Sequence, residues 1–308
     1  MPGLSRGARV LCFGIVVADR VYELDALPTG EGKHTARAYR ETGGGIAGTA
    51  AVAIAALGGH AVFAGAVGDA AAGIFLQTEM AALGVDLAGL QVVSGARTPS
   101  AAVLVDAAGE RCLIVDRGTV APALPPAACL AGLGAVLVDH RHPEAAAALL
   151  AVLPAALPCV FDGEGGDPAD LRRLAGLARH PIFSRNGLRL ASGEDTPEAG
   201  LRRIAAPRAA AIGVTLGAEG SLWLIDGASH HVPAIRVAVR DSTGCGDVFH
   251  GAYALAVAEG AAPLCAARFA SAAAAAKAQR GDGWRGMPDR AALGALLPAS
   301  PPSPEARP

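Results

Sequence analysis

The chain has 308 residues, of which 52% are hydrophobic, 18% charged and only 4% aromatic, with a formal net charge of −2. So much apolar material excludes wholesale disorder. The near-neutral charge and the scarcity of aromatics argue against a nucleic-acid partner, which would need a basic or base-stacking surface.

Mean hydropathy is +0.38, and two stretches, 42–68 and 118–138, carry no Asp, Glu, Lys or Arg. Each is long enough to span a bilayer, but glycines break the first, and prolines and glycines the second, so buried elements are expected and no membrane partner. The N-terminus lacks the apolar core of a signal peptide. The six cysteines, at 12, 112, 129, 159, 245 and 265, form no C-x-x-C. Small buried thiols in a reducing, cytoplasmic setting are the expectation.

In chain order, 10–17 reads as a buried strand, 47–57 as a helix, 61–67 as a strand and 74–83 as a helix. A strand at 135–139, a helix at 143–152 and a strand at 159–162 follow. Strands are expected again at 209–215 and 221–225, then a strand-like run at 235–239 and helices at 245–259 and 263–279. This alternation predicts an α/β fold with a mainly parallel sheet covered by helices on both faces. Two segments break the rhythm. Residues 20–41 and 100–116 hold short alternating strands, which suit a small sheet exposed on one face, a lid over the carboxyl edge of the main sheet. One domain over 1–298 and a loose Pro-rich tail over 299–308 are expected. A lid edge strand needs cover, which is compatible with a homodimer through the lid.

Chemistry concentrates in Asp241-Ser242-Thr243-Gly244-Cys245-Gly246-Asp247, which leads from the run at 235–239 into a long apolar helix. Gly244, Cys245 and Gly246 at a helix N-terminus read as an anion cradle, because free N–H groups and the helix dipole attract negative charge. Asp247 in the first turn then makes sense as a base that takes a proton from a hydroxyl attacking phosphorus. A plain N-cap would explain one acid or hydroxyl, but not two glycines within the cap.

This stretch resembles the D-T-x-G-A-G-D signature of the ribokinase-like (PfkB) carbohydrate kinases. Further ordered segments carry the resemblance: Asp19 in Gly14–Arg20, Gly43-Gly44-Gly45, Ala64–Asp69 with Gly73, and Thr215-Leu216-Gly217-Ala218-Glu219-Gly220. It implies a Rossmann-type sandwich with a β-sheet lid, and transfer of the γ-phosphoryl of ATP, accompanied by Mg2+, to a sugar hydroxyl. Asp247 would be the base, and the amides from Gly244 to Asp247 would hold the phosphoryl. Asp19, Gly44, Gly45 and Thr49 would meet the sugar, with Thr49 standing where the family has Asn. Thr215, Gly217, Gly220, Thr243 and Ser271 would flank the nucleotide. The family's N-x-x-E segment near 184–189 lacks its glutamate here, so no metal ligand is assigned.

Several stretches resemble the sulfofructose kinase branch most, among them Asp19–Tyr22 and Leu27–Lys33. That resemblance points to a ketose, such as 6-deoxy-6-sulfofructose, with Lys33 and Arg141 as cationic partners of a sulfonate. The alternative acceptors are neutral sugars of the fructose, ribose or 2-keto-3-deoxygluconate type. Two other readings compete. Gly43-x-Gly45-x-x-Gly48 followed by Asp69 matches a dinucleotide fingerprint and suggests an NAD-dependent oxidoreductase, although charged residues precede it where a buried strand is needed. A non-catalytic, sugar-sensing pseudokinase would not need Asp247.

Overall fold

The computed structural model describes residues 7–297; the tail expected at 299–308 lies outside the described residues. Among the described residues thirteen strands form two sheets. In chain order they are β1 (Arg9–Phe13), β2 (Val17–Glu23), β3 (Ala38–Gly44), β4 (His60–Gly68), β5 (Asp86–Val93), β6 (Ser100–Val105) and β7 (Arg111–Asp116). There follow β8 (Ala135–Asp139), β9 (Cys159–Gly163), β10 (His180–Ser184), β11 (Ile212–Thr215), β12 (Ser221–Ile225) and β13 (Ala228–Val232).

The large sheet has the order β13-β12-β11-β10-β9-β8-β1-β4-β5. It is parallel from β5 through β11 and antiparallel only at β11–β12 and β12–β13. Its central strands are buried on both faces, as the continuous apolar runs require. Alternation along β1 divides the core: Val10 and Cys12 join one apolar cluster, Leu11 and Phe13 the other. Helices Ile46–Ala56, Cys245–Ala258 and Pro263–Arg280 cover the first face, and their alanines let the backbones approach closely. Helices between residues 143 and 204 cover the second.

The small sheet has the order β3-β2-β6-β7 and draws its strands from 17–44 and 100–116. No helix among the described residues is long and apolar enough to cross a membrane.

Three expectations need correction. The run 10–17 is two strands in different sheets, not one. Gly14 separates them, and a Cβ there would lie 2.0 Å from Asp139 Oδ2. That carboxylate, at the end of β8, instead accepts from the amides of Ile15 and Ala47 and ties the crossing chain to the start of the helix at Ile46. The run 235–239 forms no strand; Ile235, Arg236, Val237 and Val239 line a cavity instead. Finally, Gly43 and Gly44 end β3 of the small sheet, paired with Ala18 and Val17. The dinucleotide fingerprint therefore lacks the main-sheet strand it requires, and Asp69 bonds to Ser94 and Gly95 instead.

Candidate active site

The carboxyl ends of β8–β11 and the start of helix Cys245–Ala258 meet at the crevice edge where open α/β sheets bind ligands. The segment 241–247 forms a wall there between two cavities, of about 460 and 710 Å3. Thr243, Gly244 and Asp247 face the smaller cavity; Ser242, Cys245 and Gly246 face the larger.

The wall has a defined shape. Asp241 Oδ1 accepts from the Thr243 amide at 2.8 Å and from its hydroxyl at 2.7 Å. Gly244, the N-cap, sits at φ 73°, a left-handed conformation costly for other residues. The Cys245 amide donates to Ser242 O at 3.2 Å, so it is already engaged. Among the described residues nothing accepts from the amides of Gly244, Gly246 or Asp247. Three free donors at the positive end of a helix dipole can hold a phosphoryl group. Burial pushes the Cys245 thiol up to about 11, so it stays neutral there.

Asp247 projects from the first helical turn, and its Oδ2 lies 3.9 Å from where a Cβ on Gly244 would be. Burial, and then the negative charges of Asp162 and Glu164, raise its carboxyl well above the ordinary range. A carboxylate with raised proton affinity beside free anion donors can accept a hydroxyl proton while a phosphoryl is transferred.

Across the smaller cavity stands Asp19 of β2, raised by burial to about 7. Gly44 leaves it room: a Cβ would lie 2.2 Å from Asp19 Oδ2. Gly45 and Thr49 line the same cavity, and the Thr49 hydroxyl accepts the indole N–H of Trp284 at 3.0 Å. Keeping a carboxylate ready for hydroxyls has a stability cost with a definite sign. The native pKa lies above the ordinary 3.8, so ionisation disfavours the fold increasingly as pH rises to about 7 and fully above it. Asp19→Asn should therefore melt higher than the parent at pH 8, with the gain gone by about pH 4. Equal melting temperatures at pH 8 would refute this account.

The larger cavity is apolar, walled by Val237, Val239, Phe249 and alanines of helix Pro263–Arg280, with Thr215, Gly217, Gly220 and Ser271 at its edge. That composition suits a flat heteroaromatic base.

Three expected residues fall elsewhere. Lys33 is exposed in the loop between β2 and β3, and Arg141 is exposed just beyond β8; neither lines either cavity. A strand end or a loop specifies where a charge starts, not which way it faces. Thr243 faces the smaller cavity rather than the larger one. The smaller cavity instead takes its cations from Arg40, Arg111, Arg240 and Lys277. Lys277 could have been found: it is one of only two lysines, set in an alanine run, and it is buried with Nζ donating to Gly281 O at 2.9 Å.

Among the described residues no three His, Cys, Asp or Glu side chains are grouped to hold a metal. The N-x-x-E glutamate would fall at Gly187 or at Arg189: a Cβ on Gly187 would lie 1.7 Å from Gly163 O, and Arg189 donates to Asn186 Oδ1 at 3.4 Å.

The family model described as pfkB family carbohydrate kinase matches residues 8–290. The chain is 31% identical to a fructokinase of Klebsiella pneumoniae over 254 residues, 76% of this chain and 80% of that protein. It is 36% identical to an ATP-dependent ribose-1-phosphate kinase of Halopiger xanaduensis, but over only 110 residues, 36% of this chain and 37% of that protein. A crystal structure of a candidate ribokinase from Agrobacterium tumefaciens superposes with a TM-score of 0.87 at 33% identity, covering 94% of this chain and 97% of the other. Ribokinase of Arabidopsis thaliana, complexed with ribose and ATP, superposes with a TM-score of 0.83 at 25% identity, covering 96% and 100%.

Proposed function

This chain belongs to the pfkB family of carbohydrate kinases and is an ATP-dependent sugar kinase; from that premise we propose that its acceptor is a ketose or related monosaccharide bound in the smaller cavity. One observation carries the reading: a single helix N-terminus, with its free amides and Asp247, separates a polar cavity from an apolar one. ATP enters the apolar cavity beside Thr215, Gly217, Gly220 and Ser271. The sugar lies against Asp19, Gly44, Gly45 and Thr49, with its reacting hydroxyl at Asp247.

Asp247 takes the hydroxyl proton as the oxygen attacks the γ-phosphorus, and the bond to the β-phosphate oxygen breaks. The amides of Gly244, Gly246 and Asp247 hold the equatorial oxygens through transfer. Mg2+ bound with the nucleotide would offset negative charge on its phosphates.

A second reading, an acceptor bearing a sulfonate or phosphate, is favoured by Arg240 and Lys277. Both line the sugar cavity, and among the described residues neither has a carboxylate within ion-pair distance. Lys33 and Arg141 no longer support it. ADP-release kinetics over neutral, phosphorylated and sulfonated ketoses decides between the readings. Arg240→Ala should depress kcat/KM about tenfold or more for an anionic acceptor only. Equal effects on all acceptors would leave the neutral sugar as substrate; no sugar-dependent ADP release on any acceptor would refute the assignment. Six unpaired cysteines support a reducing, cytoplasmic setting.

A further inference from the structure

We infer that Arg111 is a positioning residue that ties the lid sheet to the phosphoryl-binding turn, so that covering the sugar and shaping the turn become one event. Arg111 opens β7, the outer strand of the small sheet, which pairs only with β6 and whose six residues are all exposed. At its far end Asp116 accepts from Arg97; at its start Arg111 leaves the sheet. Its guanidinium reaches across 130 positions of sequence to donate to Asp241 Oδ1 at 2.5 Å. The two side chains retain 29% and 19% exposure, so the pair is withdrawn from solvent enough to outweigh an ordinary surface ion pair.

The accepting oxygen is the same one that receives the Thr243 amide and hydroxyl. Those two bonds curve the chain into Gly244, beyond which the amides of Gly246 and Asp247 are free. Burial alone would raise the Asp241 carboxyl; the Thr243 bonds, followed by the charges of Arg111 and Lys277, hold it below the ordinary range. On the opposite side the Asp241 amide donates to Ala278 O at 3.1 Å, on the helix Pro263–Arg280 beneath. Asp241 is therefore held between the lid and the main body of the protein. Arg111 also lines the sugar cavity, whereas no residue of the small sheet lines the nucleotide cavity. ATP alone should thus bind without using the tie, while transfer to a sugar should need it.

The inference rests on the assignment of the smaller cavity to the sugar, and the test separates the two. Arg111→Ala, Asp241→Asn and the double variant are compared in kcat, in sugar KM and in ATP affinity without sugar. Asparagine keeps an acceptor for Thr243 and removes the charge that Arg111 meets. Arg111→Ala should lower kcat about tenfold and leave ATP affinity within about twofold, and Arg111→Lys should recover part of the rate. The double variant should be no slower than Asp241→Asn alone by more than about twofold. Losses that multiply, or a raised sugar KM with kcat untouched, would overturn the tie while leaving the sugar site standing. Full turnover in Asp247→Asn would instead remove the site on which it rests.

Discussion

Asp247→Asn should lower kcat by about 10²–10⁴, with sugar and ATP still bound. The amide is nearly the same shape, keeps the turn and cannot accept the proton. It also removes a negative charge from a site already crowded by Asp162 and Glu164, so the variant should fold at least as well as the parent. Calorimetric binding of the sugar supplies the control, and turnover within about threefold of the parent would take Asp247 out of the chemistry. The pH profile carries the same information with a sign. The Asp247 carboxyl lies above the ordinary range, so kcat should begin to fall at a higher pH than an unperturbed aspartate would allow.

Trp284→Ala should cost about 3–5 kcal/mol of folding stability, read from urea denaturation, and raise the sugar KM sharply. The indole is 2% exposed and packs where any Cβ on Gly43 would collide with it, 2.0 Å away. Its N–H ends on the Thr49 hydroxyl. Trp284→Phe separates packing from the hydrogen bond: it keeps most of the ring and should cost about 1–2 kcal/mol. A loss below about 1 kcal/mol in the alanine variant would show that the ring only fills open space.

The parallel sheet was legible because a strand buried on both faces has to be apolar throughout, as in Ala135–Asp139. The turn at 241–247 was legible because glycines and an acid at a helix start combine into one recognisable chemistry. Other elements escaped for physical reasons. Strand β10 contains Pro181, a residue type that argues against a central strand. The run 235–239 has strand-like apolar content, but Val237 and Val239 face a cavity and no strand pairs with it. Lys33 and Arg141 lie near the right elements but face solvent, and neither lines the smaller cavity. Arg111 and Trp284 reach the site from distant parts of the chain, through contacts with Asp241 and Thr49 across 130 and 235 positions. No local pattern encodes such pairings.

The wall formed by 241–247 is one turn thick, with one chamber on each side. A nucleoside joined to a ketose through a short polyphosphate chain would bridge that partition and occupy both chambers at once. Its second half would bind at the effective concentration set by the tether, so a bisubstrate inhibitor could combine two weak affinities into a strong one.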